Sequence, residues 1–165
     1  MEDVPIFEYD QHIALVILAR LGLALACGAV LGFERRERPL NPAGVRTMAL
    51  ICVGTAVFML VSLFAFGEGI DTSRVAAQVV SGIGFLGGGI MFLAAGRVRN
   101  LTTAATFWLA AAIGLAAGGG QIVLAGAGTA VALVLLYAAR FREVPSEAES
   151  KVTDGEEKDG EQEEG

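Results

Sequence analysis

Apolar positions along the chain gather in five uninterrupted runs, residues 13–33, 47–66, 75–95, 101–117 and 122–139, separated by short polar segments. The runs are 21, 20, 21, 17 and 18 residues long, close to the roughly 20 residues of helix that cross a hydrocarbon core of about 30 Å. None shows a polar stripe at the 3.6-residue period, as a helix covering a water-facing core would, so each reads as apolar on all sides. The pattern predicts an all-α membrane protein, a bundle of five transmembrane helices. Only Gly118, Gly119, Gly120 and Gln121 join the last two runs, a link suited to a tight helical hairpin.

Charge adds direction to this pattern. The connections between runs hold Arg35, Arg36, Arg38 and Arg46, then Arg74, then Arg97 and Arg99, then no arginine, with Arg140 and Arg142 at the exit. Alternate connections therefore carry most of the arginines, and the positive-inside bias places the N-terminus outside and the C-terminus in the cytoplasm. Residues 1–12 form a short external segment, acidic at its start and without the basic region of a cleaved signal peptide, so the first span is expected to remain. Residues 13–142 form the membrane domain. The net charge of -6 arises in residues 143–165, where ten acids face Lys151 and Lys158. That stretch has almost no large apolar side chain and is expected to be a disordered cytoplasmic tail.

Few residues suggest chemistry. Cys27 and Cys52 lie inside apolar runs and read as packed thiols, and the single histidine, His12, reads as interfacial. Residues 82–87 fit a G-x-G-x-x-G pattern, but no carboxylate occurs between Asp71 and Glu143 to hold a ribose, and the stretch sits inside a membrane-length run. No cofactor and no metal site are expected, and no enzymatic activity, since no nucleophile has a base at helical spacing. Residues 81–89 hold five glycines, each costing a helix up to about 1 kcal/mol relative to alanine. Close helix packing through Gly84 and Gly88 is one reading. The other is a broken helix whose freed carbonyls line a cation pathway, with Ser81 contributing a hydroxyl.

Arg20 is the one charge well inside a run. Eleven Leu, Ile, Val or Phe residues, at about -0.3 to -0.6 kcal/mol each, outweigh the roughly +2.5 to +3.5 kcal/mol of a central arginine. Ala24, Gly28 and Gly32 follow Arg20 at steps of four, so it shares a small-residue face and is expected to point into the bundle. Gln78, at a comparable depth, and Asp71 and Glu68 above it are candidate neighbours. At the cytoplasmic edge Glu34, Arg35, Arg36, Glu37, Arg38 and Arg46 are expected to gather beside Arg97, Arg99 and the start of the fourth span. Asn100 is a candidate N-cap there, with Thr102 and Thr103 after it.

Four blocks carry a resemblance: Gly28-Ala29-Val30-Leu31-Gly32-Phe33-Glu34-Arg35, Ala43-Gly44-Val45-Arg46-Thr47, Gln78-Val79-Val80-Ser81-Gly82-Ile83-Gly84-Phe85-Leu86-Gly87, and Leu101-Thr102-Thr103-Ala104-Ala105-Thr106-Phe107-Trp108. In order and spacing they resemble the MgtC/SapB family of bacterial inner-membrane proteins. The resemblance implies a multi-spanning, non-enzymatic protein of the bacterial inner membrane, linked to magnesium limitation, ion homeostasis and survival of pathogens inside host cells. It implies a regulator acting through other membrane proteins, with the lipid bilayer as surroundings, homo-oligomers as an open option, and no nucleic acid. A cation transporter or channel with its pathway at residues 82–89 is the alternative. The functional candidates are Arg20, Glu34, Arg35, Arg46, Gln78, Ser81, Gly82, Gly84, Gly87, Thr102 and Thr103. Gly88 and Asn100 stand where the family pattern usually has alanine and glycine. Many relatives continue into a folded cytoplasmic domain, in whose place this chain has the acidic tail.

Overall fold

The computed structural model describes residues 11–35, 43–66, 71–94 and 97–140. The expected external segment before residue 11, the expected tail after residue 142, and Arg36, Glu37, Arg38 and Glu68 lie outside the described residues. Five helices follow the five apolar runs: α1 (Gln11–Arg35), α2 (Val45–Phe64), α3 (Ser73–Ile90), α4 (Leu101–Gly118) and α5 (Ile122–Arg140). Three of them, α1, α2 and α4, are long and apolar enough to cross a membrane. The chain divides into two units, residues 1–134 and 135–165. The first holds α1 to α4 and most of α5, and in the second the described residues continue α5.

The third run departs from expectation. Its helix stops at Ile90, and Phe92–Ala94 (β1) pairs antiparallel with Arg97–Arg99 (β2), Leu93 opposite Val98. Three consecutive glycines, Gly87 to Gly89, weaken the last helical turn, and Met91 is already extended. The alternating Arg97-Val98-Arg99 then suits a strand. This pair of short strands is the one departure from helix among the regular elements of the described residues. Nor is α3 apolar on all sides, since Arg74, Gln78 and Ser81 are exposed on one face and only Ile83 and Gly87 are buried.

Two glycine pairs determine how the helices of the first unit meet. On α1, a Cβ at Gly28 would lie 2.7 Å from the Met48 carbonyl oxygen and 2.8 Å from Ala49 Cα, and one at Gly32 would overlap the Val45 backbone. On α4, a Cβ at Gly114 would lie 2.8 Å from Cys52 Cα, and one at Gly118 would lie 2.6 Å from the Ala56 oxygen. Both pairs are spaced i, i+4, so each gives one helix face without side chains, against which a backbone can pack directly. Helix α2 is gripped on two flanks, and Ala24, Leu31, Met48, Cys52, Ala56, Ala110 and Ala117 form the buried centre. On α5, Ala125, Thr129 and Ala132 are buried, and Gly128 faces Ile113.

The α3 glycines behave otherwise. A Cβ at Gly82, Gly84, Gly88 or Gly89 would meet nothing within 4 Å, while Gly87 alone contacts a neighbour, Ala104 at 3.6 Å. Within this chain the expected Gly84 and Gly88 packing face is therefore replaced by Gly87. The broken-helix expectation also fails, because α3 runs as α-helix from Ser73 through Ile90.

Candidate functional site

Two arginines of α1 reach the two ends of α4. They are fifteen residues apart, and so are their partners Thr103 and Gly118, which places α1 and α4 antiparallel in register over about 22 Å of helix.

At one end, Arg20 Nη1 donates to the Gly118 carbonyl at 3.0 Å, and its guanidinium lies 5.7 Å from the Phe64 ring centre. The acceptor is one of the free carbonyls that close every helix, where a cation also complements the negative end of the helix dipole. The chain turns there through a Schellman arrangement. The Gln121 amide donates to the Ala116 oxygen at 2.9 Å and the Gly120 amide to the Ala117 oxygen at 3.0 Å. Gly120 takes φ +79°, and the Arg20 guanidinium packs over its Cα, so a side chain is disfavoured by both torsion and space. Arg20 points inward as expected, but not to Asp71 or Gln78, the two candidate neighbours that the structure describes. Asp71 Oδ1 accepts instead from the Ser73 hydroxyl at 2.6 Å and amide at 2.9 Å, and Gln78 is exposed beside α2.

At the other end, Arg35 is only 2% exposed. Its Nη1 donates to Thr103 Oγ1 at 3.1 Å, and its Nη2 to the Thr102 carbonyl at 3.2 Å and to Thr106 Oγ1. The Thr106 hydroxyl in turn donates to the Thr102 carbonyl at 2.7 Å. A cation at a helix N-terminus is opposed by the dipole, and burying it is costly unless its donors are satisfied. Two hydroxyls and a carbonyl within one turn of α4 meet that requirement for the two terminal nitrogens. Beside it, both carboxylate oxygens of Glu34 are shielded from solvent, with no hydrogen-bond partner among the described residues.

The structure thus brings Arg35, Thr102 and Thr103 together, with Glu34 the residue before Arg35 on α1. Arg46 is exposed at the start of α2, Arg99 is exposed on β2, and Ser81, Gly82 and Gly84 lie on the open side of α3. Arg35 reaches the start of the fourth helix, as expected, by turning inward to its threonines, while Arg36, Arg38 and the Arg97 side chain lie outside what the structure describes. Asn100 occupies the position before α4, but with φ 63° and without a side-chain cap; its Nδ2 donates to the Ile90 carbonyl at 3.0 Å, tying α4 to the end of α3. The left-handed torsion accounts for an asparagine where the family pattern usually has glycine. Sequence reasoning missed Thr106, whose signal was its i, i+3 and i, i+4 spacing from Thr103 and Thr102, and it missed Phe64, Gly114 and Gly118. Cys27 and Cys52 are buried as expected, Cys52 Sγ donating to the Ala110 carbonyl at 3.1 Å. Among the described residues, no group of three or more His, Cys, Asp or Glu could hold a metal ion.

A second feature lies between α2 and α3, an open cleft of about 800 Å³ lined by Thr47, Gly54, Phe58, Arg74, Gln78 and Gly82 among others. The Thr55 hydroxyl donates back to the Ile51 and Cys52 carbonyls of its own helix, so the walls of the cleft are chiefly hydrocarbon.

Comparison with known proteins places these features in a family. The MgtC family matches residues 21–144. The chain is 43% identical over 133 residues to "Putative magnesium transporter YhiD" of Escherichia coli K12, covering 76% of this chain and 59% of that protein. It is 48% identical over 120 residues to MgtC of Brucella abortus strain 2308, covering 73% and 48%, and 43% identical over 147 residues to MgtC of Salmonella paratyphi A, covering 86% and 62%. The chain thus spans about half to three fifths of the length of these relatives. No solved structure shows significant similarity. All four sequence blocks lie inside the matched region, and the chain belongs to the MgtC family.

Proposed function

We propose that this chain is a multi-pass protein of the bacterial inner membrane, crossing five times with its N-terminus outside, and that it acts as a non-enzymatic regulator in adaptation to low magnesium, by contact with other membrane proteins. The observation that carries this reading is the interlock of α1, α2 and α4. Two glycine pairs seat α1 and α4 directly on α2, and two arginines of α1 hold both ends of α4. Such a body is built to hold its shape and to present its outer side chains, among them Phe58, Phe85, Trp108 and Val123, to lipid or to a neighbour. Arg35, Arg46 and Arg99 stand at one end of the first unit and the Gly118–Gln121 turn at the other, in keeping with the alternating arginine count.

The name of YhiD favours a second reading, a magnesium transporter. Liposomes containing only the purified chain separate the two. The regulator reading expects no magnesium flux above empty vesicles, together with rescue in low magnesium of cells lacking the protein. Flux that falls on replacing Glu34 by glutamine would overturn it in favour of transport. A phosphatase reporter fused after Arg142 is expected to be inactive, and activity there would reverse the topology.

A further inference from the structure

The cleft between α2 and α3 carries one charged lining residue, Arg74, at one end, and its walls are otherwise chiefly hydrocarbon. Helix α2 and helix α3 run antiparallel along it, and its lining extends from Phe58 and Arg74 at one end to Thr47 and Leu86 at the other. Twelve residues separate Arg74 from Leu86, about 18 Å of helix. That is close to half of the roughly 30 Å hydrocarbon core, the depth that one leaflet's acyl chain reaches and a crossing helix exceeds. Arg74 is exposed at the start of α3, where the helix dipole also favours an anion, and Asp71 nearby is engaged by Ser73. One turn deeper, Gln78 offers an amide at the level of the ester linkages below a headgroup. Below that, Gly54 on α2 and Gly82 on α3 open the cleft, since a Cβ on either would meet nothing within 4 Å.

From charge, depth and open apolar walls we infer that the α2–α3 cleft is a binding site for one anionic phospholipid, its phosphate on Arg74 and one acyl chain lying past Gly82 to Leu86. The site rests on the reading that α2 and α3 cross the bilayer. It gives the chain a means of sensing, or holding to, the anionic lipid of the leaflet on the α2–α3 turn side.

Glycine makes the test clean. Leucine at position 54 or 82 enters the cleft instead of the packed core, so Gly54→Leu and Gly82→Leu are expected to fill the site and leave the fold intact. The full chain, extracted from membranes and stripped of lipid in detergent, is titrated with phosphatidylglycerol and with phosphatidylcholine of the same acyl chains, and bound lipid is counted by native mass spectrometry. The wild type is expected to retain phosphatidylglycerol at least tenfold more strongly than phosphatidylcholine. Arg74→Gln is expected to abolish that preference, and each leucine variant to lose retention of both lipids with an unchanged melting temperature in lipid-free detergent. Retention by both leucine variants at the wild-type level, or a preference that survives Arg74→Gln, would overturn the site. So would a dimer that phosphatidylglycerol does not compete and Gly82→Leu abolishes, since the occupant would then be a second copy. Should the chain remain in the membrane fraction yet bind no lipid selectively, the cleft assignment falls and the membrane reading stands. Recovery in the aqueous fraction without detergent would remove both.

Discussion

Replacing Thr103 and Thr106 together by valine preserves side-chain shape on α4 and removes two acceptors from the buried Arg35 guanidinium. A hydrogen bond to a charged group contributes about 1.5–3 kcal/mol, and a buried charge left without its partners costs more than the bond contributed. The Thr102 carbonyl remains, so the expected loss is on the order of 3 kcal/mol, or about 150-fold in the folding equilibrium at 1.36 kcal/mol per decade. Removing the charge instead, with Arg35→Met, strands no donor: Thr106 already donates to the Thr102 carbonyl, and Thr103 can turn to a carbonyl of its own helix. That variant is expected to lose about 1 kcal/mol. The triple variant, apolar on both sides, is expected to recover most of what the double valine variant loses. Reversible unfolding of the purified protein in mixed micelles, read as a double-mutant cycle, measures all three. If the double valine variant unfolds like the wild type while Arg35→Met is severe, the threonines do not carry the charge and the reasoning about this node is wrong.

The two classes of glycine should respond oppositely. Gly32→Ala and Gly114→Ala force backbone apart on either flank of α2 and are expected to lower the membrane protein level several-fold by immunoblot, whereas Gly22→Ala and Gly126→Ala, facing open space, gain up to about 1 kcal/mol of helix propensity and raise the melting temperature. Arg20→Leu leaves the Gly118 carbonyl without its cation and is expected to cost roughly 1–3 kcal/mol in the same micelle assay, with Arg20→Lys recovering part of it. Two donors from Ser73 hold the Asp71 carboxyl below its ordinary value of 3.8. Because the folded pKa is the lower one, this stabilisation is complete above pH 3.8 and lost as pH falls through the depressed value. Melting temperatures of the wild type and Asp71→Asn should therefore differ at pH 6 and converge as the pH is lowered past that point. Amide exchange should be fastest in the exposed α3 and slowest in α2, and uniform protection of the two would contradict the packing described.

The chain's pattern reveals the helices because lipid demands long apolar segments, and the start of each helix lies within two residues of its run. It reveals which face of α1 packs, because Arg20, Ala24, Gly28 and Gly32 share one side and small residues permit backbone contact. It does not say which glycines are used. The richest glycine segment, residues 81–89, contributes Gly87 alone, whereas Gly114, inconspicuous in an alanine-rich run, and Gly118, the first residue of the short link after it, carry the α2–α4 contact. The distinction lies in the neighbour a face meets, which local composition does not encode. Partners of the buried charges were hidden for a related reason. Electrostatic intuition directs an arginine toward Asp71 or Glu68, but Arg20 takes a helix-terminal carbonyl and Arg35 takes threonines. Neither kind of acceptor stands out in a sequence as a charge does.

That choice of acceptor has a consequence in a low-dielectric surrounding. An arginine paired with a carboxylate there would form a neutral unit with nothing left over for a ligand, whereas one solvated by carbonyls and hydroxyls retains its positive field. Next to Arg35 in the chain stands Glu34, whose carboxylate is shielded from solvent and has no hydrogen-bond partner among the described residues. The regulator and transporter readings therefore diverge most at this pair. For a regulator, Glu34 and Arg35 need only keep the end of α1 seated on α4, and Glu34→Gln, which keeps the shape, would preserve rescue. A transporter would need Glu34 to exchange a cation or a proton, and the same substitution would abolish flux while leaving the protein folded.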